Sequence, residues 1–130
     1  MANFGPEPVK YSFEAGADLS AKQFYFVKLS ANNTVTVCAA VTDKPIGVLQ
    51  NKPTSGQTAE VTVLGITKVS GDADLGYGDL IGTSSDGQAA AYAPGTDTTK
   101  YIVGQVIEDN GAAAGLVTAT VNCMNPHRGA

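Results

Sequence analysis

Nucleophilic catalysis assisted by a base needs an imidazole or its equivalent. The only histidine, His127, lies beside Pro126 near the end of the sequence. It is expected to be a solvated tail residue. Paired-carboxylate chemistry needs two acids in one cleft, and most of the acids here are scattered singly among turn-forming residues. One cluster stands out, Asp72-Ala73-Asp74-Leu75-Gly76-Tyr77-Gly78-Asp79. Its three carboxylates and two glycines could present oxygens to Ca²⁺. It lacks the loop length and closing Glu of an EF-hand, so a plain Asp/Gly turn is expected. Gly76 and Gly78 make no phosphate loop either, because no Gly-Lys-Ser/Thr follows them. Cys38 and Cys123 stand inside strand-like runs rather than in a close pair, so two small buried side chains are expected, with a disulfide between them left open. Asn32-Asn33-Thr34 has the form of a glycosylation acceptor but is expected to be a turn. These residues predict no catalytic group, no cofactor and no metal.

The elements that would position any site are strands. Val9, Tyr11 and Phe13 alternate with Lys10, Ser12 and Glu14, the period of a half-buried strand. Phe24-Tyr25-Phe26-Val27-Lys28-Leu29 is apolar on both parities, which predicts cover on both faces for part of its length. Asn32-Asn33 turns this run into Thr34-Val35-Thr36-Val37-Cys38, a hairpin. In the run from Glu60 to Val69 the apolar parity changes across Gly65, which predicts a bulge or bend there. Ser84-Ser85-Asp86-Gly87 is a turn between two short strands. No stretch shows helical apolar spacing between caps. The fold class expected is all-β: a compact sandwich or barrel of eight to ten short, mostly antiparallel strands with an extended N-terminal arm.

One phrase occurs twice. Ile46-Gly47-Val48-Leu49-Gln50-Asn51 leads through a loop to Gly56 and Glu60-Val61-Thr62-Val63. Val103-Gly104-Gln105-Val106-Ile107-Glu108 leads through a loop to Gly115 and Val117-Thr118-Ala119-Thr120-Val121. Each copy has the signature of a hairpin. Aligning Gly56 with Gly115 puts the apolar positions on opposite parities, a slip that would exchange the two faces.

With 130 residues the chain is read as one domain: an arm over residues 1–8, a β domain over 9–122 and a tail over 123–130. Charged residues make up 15%, well below the usual share, so Thr, Ser, Asn, Ala and Gly must cover much of the surface. Eight Lys plus Arg against twelve Asp plus Glu leave no basic stripe for phosphates, which argues against nucleic acid. The apolar runs are too short for a membrane-spanning helix, and Met1-Ala2-Asn3-Phe4-Gly5-Pro6 has no basic and apolar leader, so a soluble product made in the cytoplasm is expected. In the arm, Phe4 is a large apolar group outside the alternation. Pro6 and Pro8 stiffen the segment towards extended geometry and lower the entropy lost on docking, so the arm is suited to lying along a neighbouring subunit.

Several stretches, in order, resemble a known family: Gly16-Ala17-Asp18-Leu19, Phe26-Val27-Lys28-Leu29, Pro45-Ile46-Gly47-Val48-Leu49-Gln50-Asn51, Ser55-Gly56-Gln57, Val63-Leu64-Gly65, Gly78-Asp79-Leu80, and Val103 to Glu108 followed by Ala113-Ala114-Gly115. Together they are similar to the small capsid decoration, or cement, proteins of tailed bacteriophages, over residues 8–122. The resemblance implies a non-enzymatic virion protein made in the host cytoplasm. It would bind the major capsid protein on the outer surface of an icosahedral head, as a homotrimer, and stabilise the mature shell, with Phe4, Pro6 and Pro8 of the arm as the expected capsid contact. The rival expectation is a carbohydrate- or receptor-binding β-sandwich of a phage particle.

Overall fold

The computed structural model describes residues 8–93, 95–109, 111, 115–125 and 127–128. They form eleven strands: β1 Val9–Ala15, β2 Phe26–Ala31, β3 Thr34–Val37, β4 Gly47–Leu49, β5 Thr58–Ser70, β6 Leu80–Thr83, β7 Ala89–Ala91, β8 Tyr101–Ile102, β9 Gly104–Glu108, β10 Leu116–Asn122 and β11 His127–Arg128. No helix occurs among the described residues. Nine strands make one sheet in the order β1-β3-β2-β4-β5-β10-β9-β6-β7, and β1 also pairs with β5, which closes the first five strands into a small barrel. Only β1 with β3 is parallel among the named pairs. The all-β class is therefore as expected, with closure settling barrel against sandwich.

Apart from β1, the strand order is mirrored about the β5–β10 pair. β4 joins β5 through Val48↔Thr62 and Leu49↔Val61. β9 joins β10 through Gln105↔Thr120 and Val106↔Ala119. Outside them, Val27 lies opposite Gly47 and Ile81 opposite Gly104. The Ile46 amide donates to the Val27 carbonyl at 2.8 Å, and the Val103 amide donates to the Ile81 carbonyl at 3.0 Å. The duplication thus extends beyond the hairpin. β2, β3, β4 and β5 correspond to β6, β7, β9 and β10, flanking a line between β5 and β10.

This correspondence removes the parity conflict. With Gly47 matched to Gly104, the buried residues Ala59, Val61 and Val63 fall on the buried Val117, Ala119 and Val121. Gly56 corresponds to the position before Gly115, so the loop glycines are not equivalent. Between these matched positions the second copy is longer by one residue, and aligning on the loop glycines shifted the pattern by one.

Two cores follow. Ala15, Leu19, Val27, Val35, Leu49, Ala59, Val61 and Val63 fill the closed barrel. The second core joins the inward residues of β5, β6, β9 and β10, such as Val69, Ile81, Val106 and Val117, to Phe26, Cys38 and Val48 from the outside of the barrel. Adjacent residues therefore go to different cores: Phe26 and Val27 are both 0% exposed, as are Val48 and Leu49. The two-faced cover expected from the aromatic run is what the structure shows. It holds because the barrel wall is also the floor of the second half.

The alternation in β1 is buried only at one end. Phe13 packs against the barrel core, but Val9 and Tyr11 are 37% and 51% exposed. β3 reaches β1 only at Glu14 and Ala15, so the earlier residues have nothing above them. The stretch read as a tail also contributes to the fold: Cys123 is 3% exposed in the second core, and β11 pairs with β8.

Gly47 and Gly104 sit where strands approach too closely for a side chain. A Cβ on Gly104 would lie 2.5 Å from the Thr120 carbonyl oxygen, and one on Gly47 would meet the Thr62 carbonyl and Val61 inside van der Waals contact. Gly47→Ala is expected to cost about 2–4 kcal/mol of stability through overpacking against backbone. Gly76→Ala, where the nearest atom is 3.8 Å away, should be close to neutral. Urea unfolding of the two variants checks this.

Candidate docking surface

Several carboxylates are engaged with their own turns. Asp79 Oδ2 accepts the Gly76 N–H at 2.9 Å, Asp97 Oδ2 the Ala93 N–H at 2.8 Å, and Asp18 Oδ1 the Ser20 N–H at 3.1 Å. Asp43 Oδ2 accepts from the Ala39 N–H at 2.8 Å, the Ala40 N–H at 3.0 Å and Lys28 Nζ at 2.9 Å. Burial pushes the Asp43 carboxyl up, but the Lys28 ammonium and these N–H groups outweigh it and hold it below the usual range. Such side chains act as turn staples, satisfying N–H groups that no strand takes.

The acidic stretch Asp72/Asp74/Asp79 does not converge. Asp79 turns back to Gly76, while Asp72 faces Asp86 of the β6–β7 turn. Gln88 bridges these two when its amide is oriented to satisfy both ends. Nε2 then donates to Asp72 Oδ1 at 3.2 Å and Asp86 Oδ2 at 3.0 Å, and Oε1 accepts from the Ser70 hydroxyl at 2.9 Å. Asp86 also accepts from the Ser84 hydroxyl, which holds its carboxyl down. Burial and the neighbouring Asp86 charge raise Asp72. Among the described residues no three His, Cys, Asp or Glu side chains group as a metal site would need.

Both thiols are free and buried in the second core. Burial pushes Cys38 and Cys123 up to about 12. The backbone of His127 pairs with Ile102 in the small β8–β11 sheet. Phe4 and Pro6 lie outside the described residues. Pro8 is placed against Gly65, its Cα 2.8 Å from where a Cβ on Gly65 would stand.

The surface also carries exposed apolar side chains in a polar setting. Opposite pairs Thr118↔Lys68, Thr120↔Ile66 and Leu116↔Ser70 form the outward row of β5 and β10. Beside this row, Tyr77 is 81% exposed and lines an open cleft of about 440 Å³ with Ile107 and Leu116. A second cleft of about 300 Å³ adjoins it, shares Lys68, Glu108 and Thr118, and is walled by Pro8, Phe24 and Ile66. Phe24 adopts φ +69°, a conformation that a bulky side chain rarely takes. Its carbonyl accepts from Ser70 at 2.9 Å and its amide donates to the Leu49 carbonyl at 2.7 Å, which ties it to β5 and β4. Sequence reasoning did not single out Tyr77, Ile107 or Leu116. The available signals were an aromatic between two glycines in a polar loop, and Ile107 standing off the parity of the buried Val106.

No family model and no curated protein matches the chain. Among solved structures, the fold is similar to the crystal structure of the N base of head fiber gp8.5 of bacteriophage phi29. The TM-score is 0.64 at 20% identity, with 90% of this chain and 96% of that chain covered. At that identity the likeness is one of fold.

Two predictions follow from the titrating groups. Because each folded thiol sits near 12 while the unfolded thiol ionises near 9.0, the folded state keeps protons that the unfolded chain loses, so stability should fall as pH rises through that window. Native protein should resist a thiol-specific chromogenic reagent at pH 8 and react at both cysteines in urea. Rapid native labelling would contradict the buried placement.

Asp72 is raised, so its cost to stability is fully present above its folded pKa and disappears as the group protonates. Asp72→Asn should therefore raise the unfolding free energy, read from urea titrations, by less than about 1 kcal/mol at neutral pH given solvent screening, with the gain vanishing in acid.

Proposed function

We propose that this chain is a structural protein of a bacteriophage head, attached to the outer surface of the shell through the major capsid protein and acting as a decoration or cement subunit. The observation that carries the reading is the fold match to the base of a phage head fiber across nearly the whole of both chains. The order of short motifs resembling capsid decoration proteins supports it independently. The surface chemistry is compatible with this: several carboxylates staple turns, the thiols are buried, and Tyr77, Ile107 and Leu116 are exposed beside charged and polar neighbours. A cement protein adds interface that exists only in the mature lattice, so it stabilises that state by mass action, with many copies acting together. A homotrimer suits shell positions of local threefold symmetry.

A second reading, a carbohydrate-binding module, is favoured by Tyr77, whose exposed ring beside a cleft could stack on a sugar.

Mixing purified protein with undecorated phage heads and imaging the particles tests the proposal. Extra density on the outer surface is expected, and its occupancy should be unchanged by EDTA or by His127→Ala. Bare heads together with a selective signal on a glycan array would replace this reading with the second one.

A further inference from the structure

The cleft beside Pro8 has a composition that suggests its occupant. Ile66, Phe24 and Pro8 supply apolar walls, and Lys10 and Lys68 stand at its rim with Glu108. Neither lysine forms an ion pair among the described residues, and the cleft has one more cation than anion in a chain of net charge −4. It fits a short extended segment with one aromatic side chain and one carboxylate. The residues that precede β1 have that form: Phe4 and Glu7 are three apart, with Pro6 between them.

We propose that this cleft receives residues 2–7 of a second copy of the chain, with Phe4 against Ile66 and Phe24 and Glu7 facing Lys68 and Lys10. A second copy is favoured over the chain's own segment by proline chemistry. The segment leaves from Pro8 at the cleft wall, so filling its own cleft would require a reversal within residues 4–7. A turn with Pro6 at its second position needs Glu7 either in the bridge region, which Pro8 disfavours for the residue before it, or at positive φ, which a glutamate rarely adopts. Gly5 is biased to extended geometry by Pro6 in the same way. These local preferences favour a second copy as the donor over the chain's own segment. A segment-in-cleft contact joins two different surfaces, so copies related by rotation close into a ring such as a trimer.

Light scattering on the purified chain without phage heads tests this, which separates it from the shell-binding reading. The full chain is expected to form a closed oligomer at micromolar concentration. Deleting residues 2–7 should leave monomers with an unchanged melting curve. Phe4→Ala and Lys68→Glu should each weaken association at least about tenfold, the effect of losing a buried aromatic anchor or a desolvated charge partner. Combining Lys68→Glu with Glu7→Lys should restore it. A full chain that stays monomeric, an oligomer that survives the deletion, or a charge exchange that fails to restore association would overturn the proposal. A monomer whose head attachment is lost on deletion would instead assign the segment to the shell.

Discussion

The fold depends on one strand serving two enclosures. β5 runs from Thr58 to Ser70. Its first half closes the barrel by pairing with β1 and β4, and its second half pairs with β10. The change takes place at Gly65, where φ is +125° and Pro8 lies too close for any side chain. A residue with a Cβ would have to give up either the backbone conformation or the contact. The register of β1 against β5 shifts at the same place, between Val9 and Lys10. The bend sets the angle between the halves, and the angle lets the outside of the barrel become part of the second core.

That sharing explains why the halves are alike in topology but not in burial. In the barrel, the outward row Phe26, Val48 and Thr62 is covered by the second half, and all three are 0% exposed. The corresponding row, Leu80, Gln105 and Thr120, lines an open cleft. The second half covers the outer face of the barrel, and the corresponding face of the second half stays open. Tyr77, Ile107 and Leu116 lie beside the outward rows of β5 and β10, in reach of a neighbouring molecule.

Strand edges are managed in the same region. Glu14 donates to Asn33 on the side of β1 away from β5, so even-numbered positions of β1 face that edge. Below Glu14 the edge carries Ser12 and Lys10, followed by Pro8, which has no N–H to offer. A lysine and a proline in this phase discourage indiscriminate strand pairing. Recognition through side chains in a cleft is compatible with such an edge, whereas open-ended sheet growth is not.

The sequence by itself determined the all-β class, the hairpin turns, the irregularity at Gly65, the double cover of the Phe26 run and the presence of a duplication. All of these rest on local periodicity and turn chemistry, which neighbouring residues carry between them. Only the tertiary structure decided the register of the repeat, since a one-residue difference in loop length is invisible until pairing shows which positions face each other. It alone closed β1 onto β5, brought Asp72 to Asp86, and assigned Phe26 and Val27 to different cores. Those outcomes depend on contacts between residues far apart in the chain, where the bend of a shared strand, rather than any local pattern, fixes which surfaces meet.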